Sequence, residues 1–235
     1  MNEHDRAKYQ KEHPPAPHHH ADVEDVIISR DTFRENRIPP GQTRTKKWPV
    51  LHATIVPEVS KETWSLEVFG LVERKLSFNW QQFQELPRVK VFSDFHCVTQ
   101  WSRLGNLWEG VSTRYLLEQA GVQAEAQFVI CHGYDNGWTT NLPLEEFLSE
   151  DALLADMHDG MQINADHGGP VRGIIPKLYA WKSAKWIKAI ELSATDKPGY
   201  WEQSGYHNVG DPWKEQRFGD GQLPAGWTGE PEGIY

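Results

Sequence analysis

A single α+β domain on a mixed sheet is the fold this sequence predicts, and three observations lead to it. The 235 residues are 38% hydrophobic and 24% charged, an ordinary globular composition, long enough to bury a core without disulfides or a structural metal. Stretches of period-two and period-3.6 hydrophobicity follow one another as hairpins mixed with helices, not in the strict alternation of a doubly wound sheet. Neither a glycine-rich phosphate loop nor an internal repeat occurs.

Residues 1–47 are polar and of mixed charge, with Pro14, Pro15 and Pro17 beside His18, His19 and His20, then Pro39, Pro40 and Gly41. This reads as an extended N-terminal arm, its histidine run solvent-exposed chain rather than a metal site. The domain is expected over 48–218. Trp64, Leu66 and Val68 alternate with Ser65 and Glu67 up to Gly70, a half-buried strand. Trp80, Phe83 and Leu86 fall at helical spacing over Asn79–Leu86, and Pro87 then turns the chain into a Val- and Phe-rich strand, Arg88–Phe95. Ser112 is placed to cap a helix carrying Tyr115, Leu116 and Leu117 that stops at Gly121, and Ala126–Cys131 follows as a buried strand. Further strands are expected at Trp138–Leu142, Val171–Ile175 and Lys185–Leu192, with a short helix at Leu144–Leu148. The acidic stretch Leu142–Gly160 reads as a solvated face, and residues 219–235, rich in Gly and Pro, as a loose tail.

A net charge of −9 opposes binding to nucleic acid or to anionic membranes. Apolar runs of only a few residues exclude a membrane-spanning helix, and the N-terminus shows no apolar export signal or twin arginine, so a cytoplasmic location is the default expectation. In that compartment Cys97 and Cys131 are free thiols.

Two stretches carry chemistry. The strand ending at Phe95 runs into His96, Cys97, Val98, Thr99, Gln100 and Trp101, which puts a thiol where a buried strand meets a loop. Cys97 is read as a small buried hydrophobe, as a nucleophile needing a nearby base, or as a soft ligand to a metal whose other ligands come from a cofactor. The second stretch, His167–Ile190, has no Asp or Glu, yet contains Arg172, Lys177, Lys182, Lys185 and Lys188. Gly168, Gly169 and Pro170 allow close backbone approach and Ser183 adds a hydroxyl, so the stretch suits an anion such as phosphate. A lone thiol with a remote anion cradle fits a phosphate-bearing organic cofactor that holds a metal against Cys97.

At Asp94–Ser102, and at His167–Arg172 continuing to Lys182, Ser183, Ala184, Lys185 and Trp186, the sequence resembles the molybdopterin-binding domain of the sulfite oxidase family, over roughly residues 48–218. The segment Pro49–His52 with Pro57 and Glu58 is similar to that family's N-terminal pterin-contacting turn. The resemblance implies a mixed α+β fold and one molybdenum-molybdopterin per chain, in its plain form without an added nucleotide, with Cys97 as the metal's thiolate ligand. It implies pterin or phosphate contacts from His52, His96, Thr140, Asn141, His167, Arg172, Lys182, Ser183 and Lys185, and a substrate pocket shaped by Trp101, Arg103 and Trp138. Animal and plant sulfite oxidases have closely spaced arginines after the ligating cysteine. Here the first is Arg103, and Trp138 stands where they have an active-site tyrosine, which argues against sulfite as substrate. The implied activity is two-electron chemistry, oxygen-atom transfer on a small sulfur- or nitrogen-containing compound, with a separate molecule as electron donor or acceptor. A metal-free cysteine enzyme and a non-catalytic descendant of the domain are the alternatives.

Overall fold

The computed structural model describes residues 26–219. Two sheets form its frame. The first contains β1 (Val26–Ile28), β2 (Thr43–Thr45), β5 (Val89–His96), β6 (Trp101–Ser112), β9 (Leu153–His158), β10 (Met161–Gln162) and β11 (Arg172–Ile174). The second contains β3 (Ser65–Gly70), β4 (Leu76–Asn79), β7 (Phe128–Gly133), β8 (Thr139–Pro143) and β12 (Ile187–Ser193), in the order β4-β3-β12-β7-β8. Parallel pairings of β1 with β5, β2 with β6 and β12 with β3 sit among antiparallel ones, so the sheets are mixed, as expected.

Local chemistry sets the helices. Asn79 closes a capping box at the start of α1 (Trp80–Gln84): its side chain accepts from the Gln82 amide, and the Gln82 side chain accepts from the Asn79 amide. Ser112 caps α2 (Thr113–Ala120), which ends at Gly121 with φ of 69°. The helix α3 (Leu144–Phe147) follows β8 directly, and α4 (Tyr200–Gln203) comes after β12. Among the described residues no helix is long and apolar enough to cross a membrane.

One core cluster gathers Leu66 and Val68 of β3, Leu116 and Leu117 of α2 and Ile190 and Leu192 of β12, and reaches Val111 of β6 and Leu154 of β9, thereby joining the sheets. Each such fully buried aliphatic side chain stabilises the fold by about 1.5–3 kcal/mol. A second cluster holds Val91 and Phe95 of β5, Trp108 of β6 and Ile174 of β11, and runs on into Cys97, Trp101 and Trp181. The site is built on this second cluster.

Two expectations are corrected. The arm 1–47 is not all arm: residues 1–25 lie outside the described ones, but β1 and β2 are hydrogen-bonded into the first sheet. The acidic stretch is not simply a solvated face either, because it contains β9 and buries Asp151 and Asp156. Asp151 accepts from the hydroxyls of Ser29 and Ser149, and Asp156 takes Gln84 and Arg88. The tail expected over 219–235 lies outside the described residues apart from Gly219.

Candidate active site

Cys97 opens a tight turn between β5 and β6. Its amide donates to the Trp101 carbonyl (2.9 Å) and its carbonyl accepts from the Gln100 amide (3.1 Å). From upstream, the Gln42 side-chain amide donates to the same Cys97 carbonyl (2.9 Å), and Thr43 N–H donates to Gln100 O (2.7 Å). The thiol is buried and receives the Thr99 hydroxyl at 3.2 Å. Burial pushes its pKa up, against the opposing hydrogen bond from Thr99. Among the described residues no imidazole lies within hydrogen-bond reach of Sγ, so a metal-free nucleophile here lacks its base.

Cys97 lines a cavity of about 290 Å³, close to the lower end of small-molecule sites. His52, Trp101, Trp138, His167, Arg172, Ser183 and Lys185 line it too, so the structure brings together eight of the residues singled out from sequence. Arg172 is buried, and its guanidinium donates to the carbonyls of His167 (2.7 Å) and Ser183 (2.9 Å). Lys185 Nζ donates to the carbonyls of Leu51 and Asp166 (both 2.9 Å) and lies 3.1 Å from His52 Nδ1. Both cations are thus met by neutral oxygens. Burial, followed by the charge of Arg172, pushes Lys185 down to about 7, and burial takes Arg172 to about 9, still charged at neutral pH. Burial, with Arg172 and Lys185 beside it, lowers His167 to about 4.

The glycines before Pro170 act differently from the expectation. A Cβ on Gly168, where φ is 97°, would lie 2.7 Å from the Lys185 side chain and 2.9 Å from its Cα, and one on Gly169 would lie 2.0 Å from the Ile163 carbonyl. They admit the protein's own chain and let Lys185 lie flat. Gly168→Ala should therefore cost on the order of 2 kcal/mol and displace Lys185. Urea unfolding read beside the Lys185 titration checks this, and unchanged stability would contradict it.

Other predicted residues lie outside the cavity lining. Lys182 is fully buried, its Nζ bonded to Asn141 O (2.8 Å) and Asn208 O (2.6 Å) and paired with Glu202 at 2.6 Å. Thr140 donates to the same Glu202 oxygen (2.9 Å), and Asn141 donates to Asp196 and Asn208. These three form an internal polar cluster behind the wall. Lys177 pairs with Glu146 at the surface (3.5 Å), and Lys188 is half-buried on β12, so the cationic stretch divides into two cavity cations and three that point elsewhere. Arg103 turns away to Asp159 (2.7 Å), Asn106 and His158. His96 is buried with Nδ1 on the Ser102 hydroxyl (2.8 Å), and burial lowers it to about 4.

Sequence reasoning missed Trp48, Trp181, Trp201 and Tyr206, all in the cavity wall. Eleven tryptophans hinted at aromatic concave surfaces, but no local pattern marks which of them converge. Trp48 stacks on His167 with centroids 3.8 Å apart and planes 9° apart. Behind it, His158 lies 4.3 Å from both Trp48 and Trp108, and burial pushes its pKa down to about 3. At neutral pH this imidazole is uncharged, so its 3.4 Å approach to Asp159 is not an ion pair. Because the folded value lies below the ordinary 6.5, the unfolded chain takes up the proton first as pH falls. Stability is then lost between pH 6.5 and about 3. Urea midpoints across that range should fall more steeply for the native protein than for His158→Gln, and parallel curves would overturn the reading.

Residues 52–201 match the oxidoreductase molybdopterin binding domain. The chain belongs to that family. Among its relatives, this molybdopterin-binding oxidoreductase is 46% identical over 191 residues to “Uncharacterized oxidoreductase YuiH” of Bacillus subtilis, covering 81% of this chain and 96% of that one. It is 30% identical over 155 residues to “Putative protein-methionine-sulfoxide reductase subunit YedZ1” of Azospira oryzae (66% of this chain, 58% of that one). With nitrate reductase (NADH) 1 of Phaseolus vulgaris it shares 32% over 211 residues, 77% of this chain but 23% of that one. The sulfane dehydrogenase SoxCD of Paracoccus pantotrophus has a similar fold, with a TM-score of 0.55 and 23% identity over 60% of this chain and 40% of that one.

The cavity suits the group that gives this molybdopterin-binding family its name. His167 Nδ1, Trp101 Nε1 and Asp135 Oδ1, on three of its lining residues, are buried without a partner. A buried polar atom left so costs about 1–3 kcal/mol, which a bound polar group would relieve. An anion beside Arg172 and Lys185 would restore the charge that burial suppresses, and a soft thiol stands in the same cavity.

Proposed function

We propose that this protein holds one molybdopterin-bound molybdenum and performs two-electron redox chemistry on a small sulfur- or nitrogen-containing compound. The observation that carries the reading is the placing of Cys97 in one cavity with two cations, Arg172 and Lys185, whose hydrogen bonds go to backbone carbonyls and the His52 ring and not to a carboxylate. Cys97 would hold the metal. Arg172, Lys185 and the backbone about Ser183 would hold the pterin and its phosphate, with His52 and His167 along its edge. Lys182, Thr140, Asn141, His96 and Arg103 lie outside the cavity lining and are given no direct contact in this reading. The bound cofactor supplies the two-electron couple. The chain orients it, excludes water with tryptophans and leaves an aromatic wall for the substrate. The name of the YedZ1 relative favours sulfoxides as first substrates. Reducing a sulfoxide breaks its sulfur–oxygen bond, takes two electrons and two protons, and releases the thioether and one water, the electrons coming from a separate reductant.

The test is molybdenum per chain by elemental mass spectrometry, with pterin fluorescence after denaturation, on protein expressed with molybdate in a cofactor-competent host. One metal per chain with released pterin is the expected result. A well-folded preparation with neither would overturn the proposal. Arg172→Ala should lower cofactor retention by about 10-fold or more, since a buried charged donor set is lost. Equal retention in that variant would argue against the assigned anion contacts.

A further inference from the structure

Arg172 and Lys185, given to the cofactor, are the Arg and Lys of the cavity lining; Trp138, Trp181, Trp201 and Tyr206 line it too, and the carboxylate lining it is Asp135. Trp181 meets Tyr206 edge-on at 5.2 Å, and Tyr206 lies 4.9 Å from Trp201, so three of these rings form one continuous surface. Trp201 packs against both core clusters. Three other cations, Arg103 (paired with Asp159), Lys182 (paired with Glu202) and Arg217 (on the carbonyls of Val98 and Pro40), lie outside the cavity lining. Such a wall gains from apolar contact and offers an oxyanion no compensation for its lost water.

One group fixes the surface from behind. The Glu202 carboxylate, its side chain 2% exposed, accepts the Trp181 indole N–H at 2.9 Å and the Thr140 hydroxyl at 2.9 Å on the same oxygen that faces Lys182. The neighbouring residue in α4 is Trp201 itself. Glu202 therefore ties two wall tryptophans, one through its hydrogen bond and one through the backbone, to a charge balanced by Lys182.

We propose that Glu202 is a positioning residue for this aromatic wall, and that the wall selects uncharged substrates with apolar substituents, such as organic sulfoxides and tertiary amine N-oxides, over oxyanions. The inference rests on the proposed function only in treating Arg172 and Lys185 as occupied by cofactor.

Binding without turnover tests it. Methyl phenyl sulfone, uncharged, and sulfate, a dianion, are titrated calorimetrically into the cofactor-loaded protein. The sulfone should bind at least about 10-fold tighter, the scale of one well-made apolar contact. The charge-neutral double variant Glu202→Leu with Lys182→Met removes the indole's acceptor without stranding a buried ammonium. It should weaken the sulfone about 10-fold and leave sulfate unmoved, whereas Glu202→Gln with Lys182→Met keeps an acceptor and should recover most of the affinity. If the leucine pair fails to fold by near-ultraviolet circular dichroism, Trp181→Phe deletes the same N–H with the ion pair intact, and the same loss is expected. Sulfate binding as tightly as the sulfone, or full sulfone affinity in both the leucine pair and Trp181→Phe, would overturn the inference. Molybdenum content of the same batch is a separate readout: its absence would defeat the proposed function, while the sulfone's dependence on Trp181 and Glu202 would still decide this one.

Discussion

Replacing Cys97 by Ser is expected to leave a folded protein with almost no activity. The serine hydroxyl fits where the thiol sits, and the Thr99 hydroxyl that lies 3.2 Å from Sγ can donate to it instead, so unfolding midpoints should stay close to native. On the proposed function, the metal would exchange a soft thiolate for a hard oxygen. Loss of even an outer partner of a metal ligand brings about 10- to 100-fold, so loss of the ligand itself should exceed about 100-fold in turnover. Molybdenum content, turnover with a sulfoxide and thermal unfolding, measured side by side, separate chemistry from folding. Native turnover in Cys97→Ser would remove the thiolate from the mechanism.

The largest stability effect is expected at Glu202→Ala. This change leaves the Lys182 ammonium, 0% exposed, with amide and carbonyl partners but without the carboxylate that pairs with it directly. Breaking a buried pair by removing one member costs about 3–5 kcal/mol, roughly 10 °C in melting temperature for a chain of this length. Adding Lys182→Met should return much of the loss, because the stranded charge rather than the missing contact dominates. Chemical denaturation of the two variants and the native protein decides it, and a single-variant loss under about 1 kcal/mol would show that water or a rearranged partner reaches Lys182.

Local signals explain which elements were legible. The helical spacing of Trp80 and Phe83, the Ser112 cap with Gly121, and the alternation through Leu66 and Val68 each specify their element within a few residues, and these elements formed, the first as the shorter helix Trp80–Gln84. The long strand β6 escaped because Gly105, Asn106 and Gly110 break its pattern. Their reasons are non-local: a Cβ on Gly110 would lie 1.9 Å from the Leu154 carbonyl across the sheet, and Asn106 bonds back to Ser93 O. Strand β9 was hidden by Asp156 within it and Asp151 just before it, whose partners Arg88, Gln84 and Ser29 lie far along the chain. The same limit divides the candidate site. The thiol and the cationic stretch could be found from sequence, since one is a single residue and the other contiguous. Which lysine faces the cavity depends on Glu202, twenty positions beyond Lys182, and no spacing rule encodes that pairing.

The cysteine turn has its outer brace in another part of the chain. Gln42 and Thr43 hold the carbonyls of Cys97 and Gln100, and Arg37 forks onto Asp94 just before the turn at 2.8 and 2.5 Å. All three braces precede residue 52, where the match to the family begins. A graft or truncation cut to the matched boundaries would therefore carry the thiol but not the struts that aim it. The heritable unit of this site is the matched domain together with the strands that lead into it. Relatives that differ at the positions of Arg37, Gln42 and Thr43 can re-aim an identical cysteine without changing any residue that lines the cavity.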